Sequence, residues 1–344
     1  MTPEISARVV ATDPQWLPHT FGPDGSRLTS VFVPRAKHQE LMFLTDDHYL
    51  NHYAKAELPA DAVGREIGDA ATAPLHFIFH TAFCCSTLMV KALDIPGRSV
   101  GLKEPEILIN VANRIARSDD AANRQRLALV LRLLARPYAP GETVIVKPSN
   151  SANRIVLPAL EMLPQARAVL MHSDLPTLLR SVAKRGMWGR RWARKVFRNV
   201  SAWSSLQLGY EPGELFELTD LQVAGLTWLM QVHHFGEVAR RMGSRVMVLE
   251  GAELIRDPSP VLGRAAALFA LELDEPSLSA IANGSVFSRH SKFAQRDYSV
   301  DAREAEHDAA VAAHGEEIDL VVKWVEAVAA HCGVRATPAG PLPA

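Results

Sequence analysis

Four short apolar runs, each closed by polar or turn-forming residues and separated by helix-length stretches, constrain this chain more than any other feature. They are Leu75 to Phe79, Thr143 to Val146, Ala168 to Met171 and Arg245 to Leu249. Each is β-branched or apolar and too short for a helix, which marks a strand buried on both faces. Helical stretches lie between them: one beginning near Ser86, then Gln125 to Ala135 and Leu221 to Arg241. Strands alternating with helices predict a three-layer α/β/α fold around a central, mostly parallel sheet. Ligands bind such sheets at the carboxyl ends of the strands, so the residues after each run are the ones to inspect.

Composition sets the outer bounds. The chain has 344 residues, 48% of them hydrophobic, enough for one large core. Residues 1–70 are rich in turn signals, such as Gly22-Pro23-Asp24-Gly25. They read as an extension of short strands and a helix packed on an α/β domain at 71–332. Residues 333–344 hold three prolines and two glycines and are expected to be a flexible tail. The net charge of −1 argues against a general nucleic-acid coat while allowing a local basic patch. Three cysteines without a CxxC pair argue against a disulfide framework and a structural zinc site. A polar N-terminus and the lack of a long apolar run give the expectation of a soluble cytoplasmic protein with no transmembrane segment.

The first run leads into His80-Thr81-Ala82-Phe83-Cys84-Cys85-Ser86-Thr87-Leu88. A strand, a short loop and a helix opening on Ser-Thr form a P-loop-like, anion-binding arrangement, because unpaired N–H groups of the first helical turn point at the ligand. The plainer alternative is that Ser86 only caps a helix. No Gly-Lys precedes Ser86, so this is not a Walker A motif. Cys84 and Cys85 stand where a thiol pKa can fall, but packing and backbone roles suit them better, since His80 is the only partner nearby in sequence. Lys103-Glu104-Pro105 comes one helix later and reads either as a solvated surface pair or, by that position, as part of the site, and Lys147-Pro148-Ser149-Asn150 closes the second strong run. A lysine ending a buried strand must face a cleft or an anion.

The third run ends in His172-Ser173-Asp174-Leu175-Pro176, before a helix carrying Arg180, Ser181, Lys184 and Arg185. Spacings of four place Ser181 and Arg185 on one face. The basic run continues through Arg190, Arg191, Arg194, Lys195 and Arg198, interleaved with Trp188 and Trp192 and almost free of acids. This local excess fits a phosphate-bearing ligand, and its bland alternative is a solvated helix face. Ser288-Arg289-His290-Ser291-Lys292 reads either as a late phosphate clamp or as a surface loop.

These pieces, in this order, resemble the sulfotransferase superfamily that uses 3′-phosphoadenosine 5′-phosphosulfate (PAPS), with 3′-phosphoadenosine 5′-phosphate (PAP) as product. Phe83, Cys84, Cys85, Ser86, Thr87 and Leu88 resemble that family's 5′-phosphosulfate element. Ser173-Asp174-Leu175-Pro176 through Ser181 is similar to its 3′-phosphate element. Val246 to Glu250 with Ala252-Glu253-Leu254-Ile255-Arg256-Asp257-Pro258 resembles a further family segment. The likeness spans roughly residues 75–295. It departs where relatives carry a basic residue and a glycine in the first loop, here Phe83 and Cys85, and where Ser173 replaces an arginine.

The resemblance implies sulfuryl transfer from PAPS to a hydroxyl or amine, without a metal. Glu104 is its candidate base, with His80 and His172 as rivals. Lys103 and Lys147 are the candidate catalytic cations. Ser86, Thr87 and neighbouring amides would hold the 5′ end. Ser173, Ser181, Arg185, Arg289 and Lys292 would hold the rest of the cofactor. The acceptor stays open among sugar, lipid, peptide and small alcohol. Two alternatives stand beside this reading: a nucleotide-dependent phosphotransferase with a degenerate P-loop, and a non-catalytic nucleotide-binding relative.

Overall fold

The computed structural model describes residues 5–38, 40–45, 50–68, 72–211, 213–288 and 300–336, with side chains left aside at 288 and 300–312. Strands β1 (Trp16–Phe21), β2 (Arg27–Phe32) and β3 (Lys55–Pro59) form an antiparallel sheet. Strands β4 (Leu75–His80), β5 (Ser99–Lys103), β6 (Thr143–Lys147), β7 (Ala168–His172) and β8 (Val246–Glu250) form a second sheet, parallel throughout, in the order β5-β6-β4-β7-β8. The expected three-layer α/β/α architecture is present. The four apolar runs are β4, β6, β7 and β8. Strand β5 completes the sheet from a stretch whose only sequence signal is Ser99-Val100-Gly101-Leu102.

The side chains of these strands alternate between two cores, as a period of two requires. Phe77, Phe79, Val144, Val146, Ala168 and Leu170 face one core, which also takes in Trp16, Leu17 and Phe21 of the antiparallel sheet. Ile78, Ile145, Val169 and Met171 face the other, beneath helix α1 (Ser86–Ala92). Burial on both faces explains why the parallel strands read as continuous apolar runs rather than as alternation. Helix α2 (Glu106–Arg117) covers the first face.

A third core is helical. Helices α3 (Leu175–Ala183), α4 (Gly186–Ser201), α5 (Asp220–Met242) and α6 (Val300–His331) enclose Leu179, Val196, Leu229 and Val325. Buried hydrogen bonds tie this helical unit to the strand ends. The Trp228 indole N–H donates to the Ser173 carbonyl at 2.8 Å, and Asn153 Nδ2 donates to Gln231 Oε1 at 2.8 Å.

Strand order decides where a ligand can sit. The chain leaves β4 for β5, returns to β6 beside β4, then crosses to β7 on the other side of β4. The switch point therefore lies at the carboxyl end of β4, where the two connections diverge and where sheets of this kind take up their ligands. The loop at 81–85 and the ends of β5, β6 and β7 border it. No helix among the described residues is long and apolar enough to cross a membrane.

Candidate active site at the carboxyl ends of β4, β5 and β6

Three adjacent strands end on chemistry. Lys147 closes β6 and is wholly buried; its ammonium donates to Glu104 Oε1 and lies 2.9 Å from His80 Nε2. His80 closes β4, and its Nε2 is 3.7 Å from the same Glu104 oxygen. Glu104 follows β5, its side chain 15% exposed, with its backbone N–H held by the Lys147 carbonyl. It sits at φ 53°, in the left-handed region, which turns its carboxylate out of the strand's alternation. A charged amine this deep needs a carboxylate partner to offset lost hydration, and Glu104 supplies it.

The imidazole orientation is fixed from both ends. His80 Nδ1 accepts the Ala82 N–H at 3.0 Å, so in the neutral ring the proton is on Nε2, 3.1 Å from the Pro148 carbonyl it can donate to, and the Lys147 ammonium beside Nε2 is a neighbouring donor rather than its hydrogen-bond partner. The Asn153 amide also donates to the His80 carbonyl at 3.0 Å. Asn153 lies in a short 3-10 turn, Asn150–Ile155, and its partner Gln231 is fully buried within α5. Sequence reading missed both. The available signal was an uncharged polar residue in the middle of an apolar helix, which demands a buried partner.

The loop after β4 is held in an unusual shape. Ala82, Phe83 and Cys85 all have positive φ, at 80°, 54° and 61°. Such conformations cost on the order of 1–3 kcal/mol each and persist where surrounding contacts over-determine them. The constraints here are explicit. Thr81 N–H donates to the Met171 carbonyl at 3.0 Å, and the Cys84 thiol reaches the same carbonyl at 3.5 Å. Gly251, at the start of helix Gly251–Arg256, lies so close that a Cβ there would be 2.3 Å from the Cys84 carbonyl. Cys85 is the N-cap of α1 and makes no side-chain capping bond, so Ser86 is the first helical residue rather than the cap. Ser86 and Thr87 are buried at that end, and Leu88 packs into the core below. Burial pushes the Cys84 thiol up to about 11, which fits packing rather than reactivity.

Phe83 joins the loop to the helical unit. Its ring packs edge-on against Trp192 of α4 at 4.9 Å, and the Arg185 guanidinium stands 4.4 Å over it. Arg185 also donates to the Ser181 carbonyl at 2.7 Å, so Ser181 and Arg185 are neighbours, as their spacing predicted. The Phe83 ring thus carries on its face a cation supplied from outside the loop.

Other candidate residues stand further off. The Lys103 ammonium donates to the His38 carbonyl, and burial, with the nearby charge of Lys91, lowers its pKa to about 8. It therefore stands apart from the Lys147–Glu104 pair, although its strand places it next door. Asp174 caps α3, accepting the Thr177 N–H at 2.5 Å. The Glu250 carboxyl is raised by burial and by Asp174 and Glu253, so the ends of β7 and β8 carry an acidic group. His172 beside it is lowered by burial. Arg289 and Lys292, and the proline-rich end of the tail from 337 onward, lie outside the described residues.

Buried polar atoms without a hydrogen bond follow the ends of β4, β6 and β7, and others lie away from them, at Ser30 Oγ and His38 Nδ1. Thr81 Oγ1, Asn150 Nδ2, Asn153 Oδ1, Ser173 Oγ and Arg180 Nε are buried without a hydrogen bond. Buried polar groups are normally satisfied. Of those that follow a strand end, Thr81 Oγ1, Asn150 Nδ2 and Ser173 Oγ can donate to an anionic ligand, whereas Asn153 Oδ1 can only accept. No group of side chains suited to a metal ion occurs among the described residues.

The fold is similar to that of solved sulfotransferases. The sulfotransferase domain from the curacin biosynthetic pathway is 13% identical, with a TM-score of 0.45 and coverage of 77% of this chain and 99% of that one. A sulfotransferase from Mycobacterium avium is 16% identical, with a TM-score of 0.43 and coverage of 74% and 79%. Retinol dehydratase, solved in complex with retinol and PAP, is 13% identical, with a TM-score of 0.33 and coverage of 95% of each chain. No protein-family model matches the chain, and no curated protein matches it.

Proposed function

We propose that this protein is a sulfotransferase that takes a sulfuryl group from PAPS and passes it to a hydroxyl or amine acceptor. The observation that carries the reading is the wholly buried Lys147, paired with Glu104 and set beside His80 at the switch point of a parallel sheet. Unpartnered donors after the ends of β4, β6 and β7, namely Thr81 Oγ1, Asn150 Nδ2 and Ser173 Oγ, fit a phosphate-bearing cofactor. The first loop lacks the lysine that an ATPase or GTPase places before its Ser, which favours a different nucleotide.

When bound, PAPS would supply the transferable sulfuryl group and a PAP leaving group. Ser86, Thr87 and the backbone amides at the start of α1 would hold its 5′ end, with Lys147 as the cation beside them. Ser173, Ser181 and Arg185 are the candidate holders of the 3′-phosphate. Glu104 would take the proton from the acceptor. Its contacts with Lys147 and His80 both use Oε1, which leaves Oε2 for the acceptor's hydrogen bond. His80 acts as a positioning residue, because its Nδ1 lone pair is committed to Ala82 N–H. The protein's work is positioning and charge stabilisation, as in phosphoryl transfer.

The test is a thermal-shift comparison of PAP, ATP and GTP, since a ligand selective for the native state raises Tm. PAP should stabilise the protein and ATP much less. Equal shifts would refute a PAPS-type site, and PAP binding without transfer to any acceptor would mark a non-catalytic relative.

A further inference from the structure

Helix α4 presents a face that the transfer chemistry does not use. Its buried residues are Gly189, Ala193, Val196 and Val200. Gly189 is required there, because a Cβ would lie 2.2 Å from the Val182 carbonyl. That close approach seats the first turn of α4 against the end of α3 and leaves Met187 and Trp188 facing outward, 72% and 61% exposed. Arg191, Arg194, Lys195 and Arg198 are exposed as well. Spacings of three, four and seven place these residues along one side of the helix, a stripe about 16 Å long at 1.5 Å per residue.

The stripe keeps most of its charge. Arg194 is held by Asp220 at 2.5 Å, whereas Arg191, Lys195 and Arg198 make no ion pair among the described residues. The chain as a whole carries a net charge of −1, so this concentration of cations is local. Two large apolar side chains at one end of a cationic helix face are costly to leave in water. Neither is needed to bind a small soluble anion, which a convex helix surface cannot enclose. An amphipathic helix with cations along one side and Trp and Met at its tip suits the boundary of an anionic bilayer, where the cations meet headgroups and the indole sits at their level.

We infer that α4 docks the protein on the surface of a membrane rich in anionic phospholipid. Met187 and Trp188 enter the headgroup layer, and Arg191, Lys195 and Arg198 lie over the phosphates. The contact is peripheral, and it stands independently of the sulfuryl-transfer reading. Because Trp192 and Arg185 pack on Phe83, the docked helix is fastened to the loop beside the candidate site. The candidate site would therefore lie close to the bilayer.

Vesicle co-sedimentation of the full chain tests this without cofactor or acceptor. The probes are vesicles of phosphatidylcholine alone and of phosphatidylcholine with one-third phosphatidylserine. The protein should pellet with the second and not the first, and salt should release it. A cation near an anionic leaflet is worth about fivefold in partition. Arg191→Glu/Lys195→Glu/Arg198→Glu should therefore weaken binding by about 100-fold or more with Tm unchanged, since these exposed side chains make no ion pair among the described residues. Met187→Ala/Trp188→Ala should weaken it several-fold while leaving its salt dependence in place. Equal binding to neutral vesicles, no binding to anionic ones, or wild-type binding by the triple variant would overturn the inference. Retention on immobilised heparin or duplex DNA without vesicle binding would assign the face to a soluble polyanion and overturn it too.

Discussion

Replacing Lys147 by methionine separates a structural role for the buried pair from a binding role. The substitution keeps the length of the side chain and removes its charge. Glu104 is then left as a carboxylate, 15% exposed, without its cation. Breaking a buried pair from one side costs roughly 3–5 kcal/mol, and the partial exposure of Glu104 points to the lower end. With an unfolding entropy of roughly 2.1 cal/mol/K per residue over 344 residues, a loss of about 3 kcal/mol lowers Tm by about 4 °C. Lys147→Met/Glu104→Gln removes both charges and should recover most of that loss, because the amide no longer needs a cation. PAP affinity should behave differently. A charge-assisted hydrogen bond is worth about 1.5–3 kcal/mol, so both variants should bind PAP about 10- to 100-fold more weakly by calorimetric titration. Stability that returns in the double variant while affinity does not is the expected signature. Recovery of both would reduce Lys147 to a structural ion pair, and wild-type PAP affinity in the single variant would refute the placement of the cofactor.

Glu104→Gln alone should keep PAP affinity and lower transfer to an acceptor by about 10²- to 10⁴-fold, read from turnover per folded molecule. Gly251→Ala drives a Cβ to 2.3 Å from the Cys84 carbonyl and should cost about 1–3 kcal/mol of stability while weakening PAP binding through the displaced loop, measured as Tm and Kd together. Burial holds His38 and His76 at about 4, below their ordinary 6.5. The unfolded chain therefore binds more protons between those values, and denaturant-derived stability should hold above pH 6.5 and fall as the pH drops toward 4. His76→Gln should flatten that limb, and an unchanged slope would exclude His76 as its source.

The sequence by itself determined the layers. Short apolar runs with helical stretches between them can be stable only as strands buried on both faces, so β4, β6, β7 and β8 were legible from local pattern. It also marked Ser86 and Lys147, because each follows a run where a parallel sheet opens to ligand, and Glu104 by its place one helix after the first loop and by the family resemblance. Strand β5 was harder to see, since Ser99, Gly101 and Lys103 interrupt its apolar character. Tertiary structure alone decided which strand ends touch. Lys103 and Glu104 are adjacent in sequence, yet the φ of 53° at Glu104 parts them: Lys103 goes to the His38 carbonyl and Glu104 to Lys147, 43 residues on. Likewise Arg185 answers a loop residue about a hundred positions earlier, by lying over Phe83. Such contacts follow from strand order and helix packing, which arise from the fit of whole faces in a shared core. No local run of residues encodes that fit, because the groups it joins are distant along the chain.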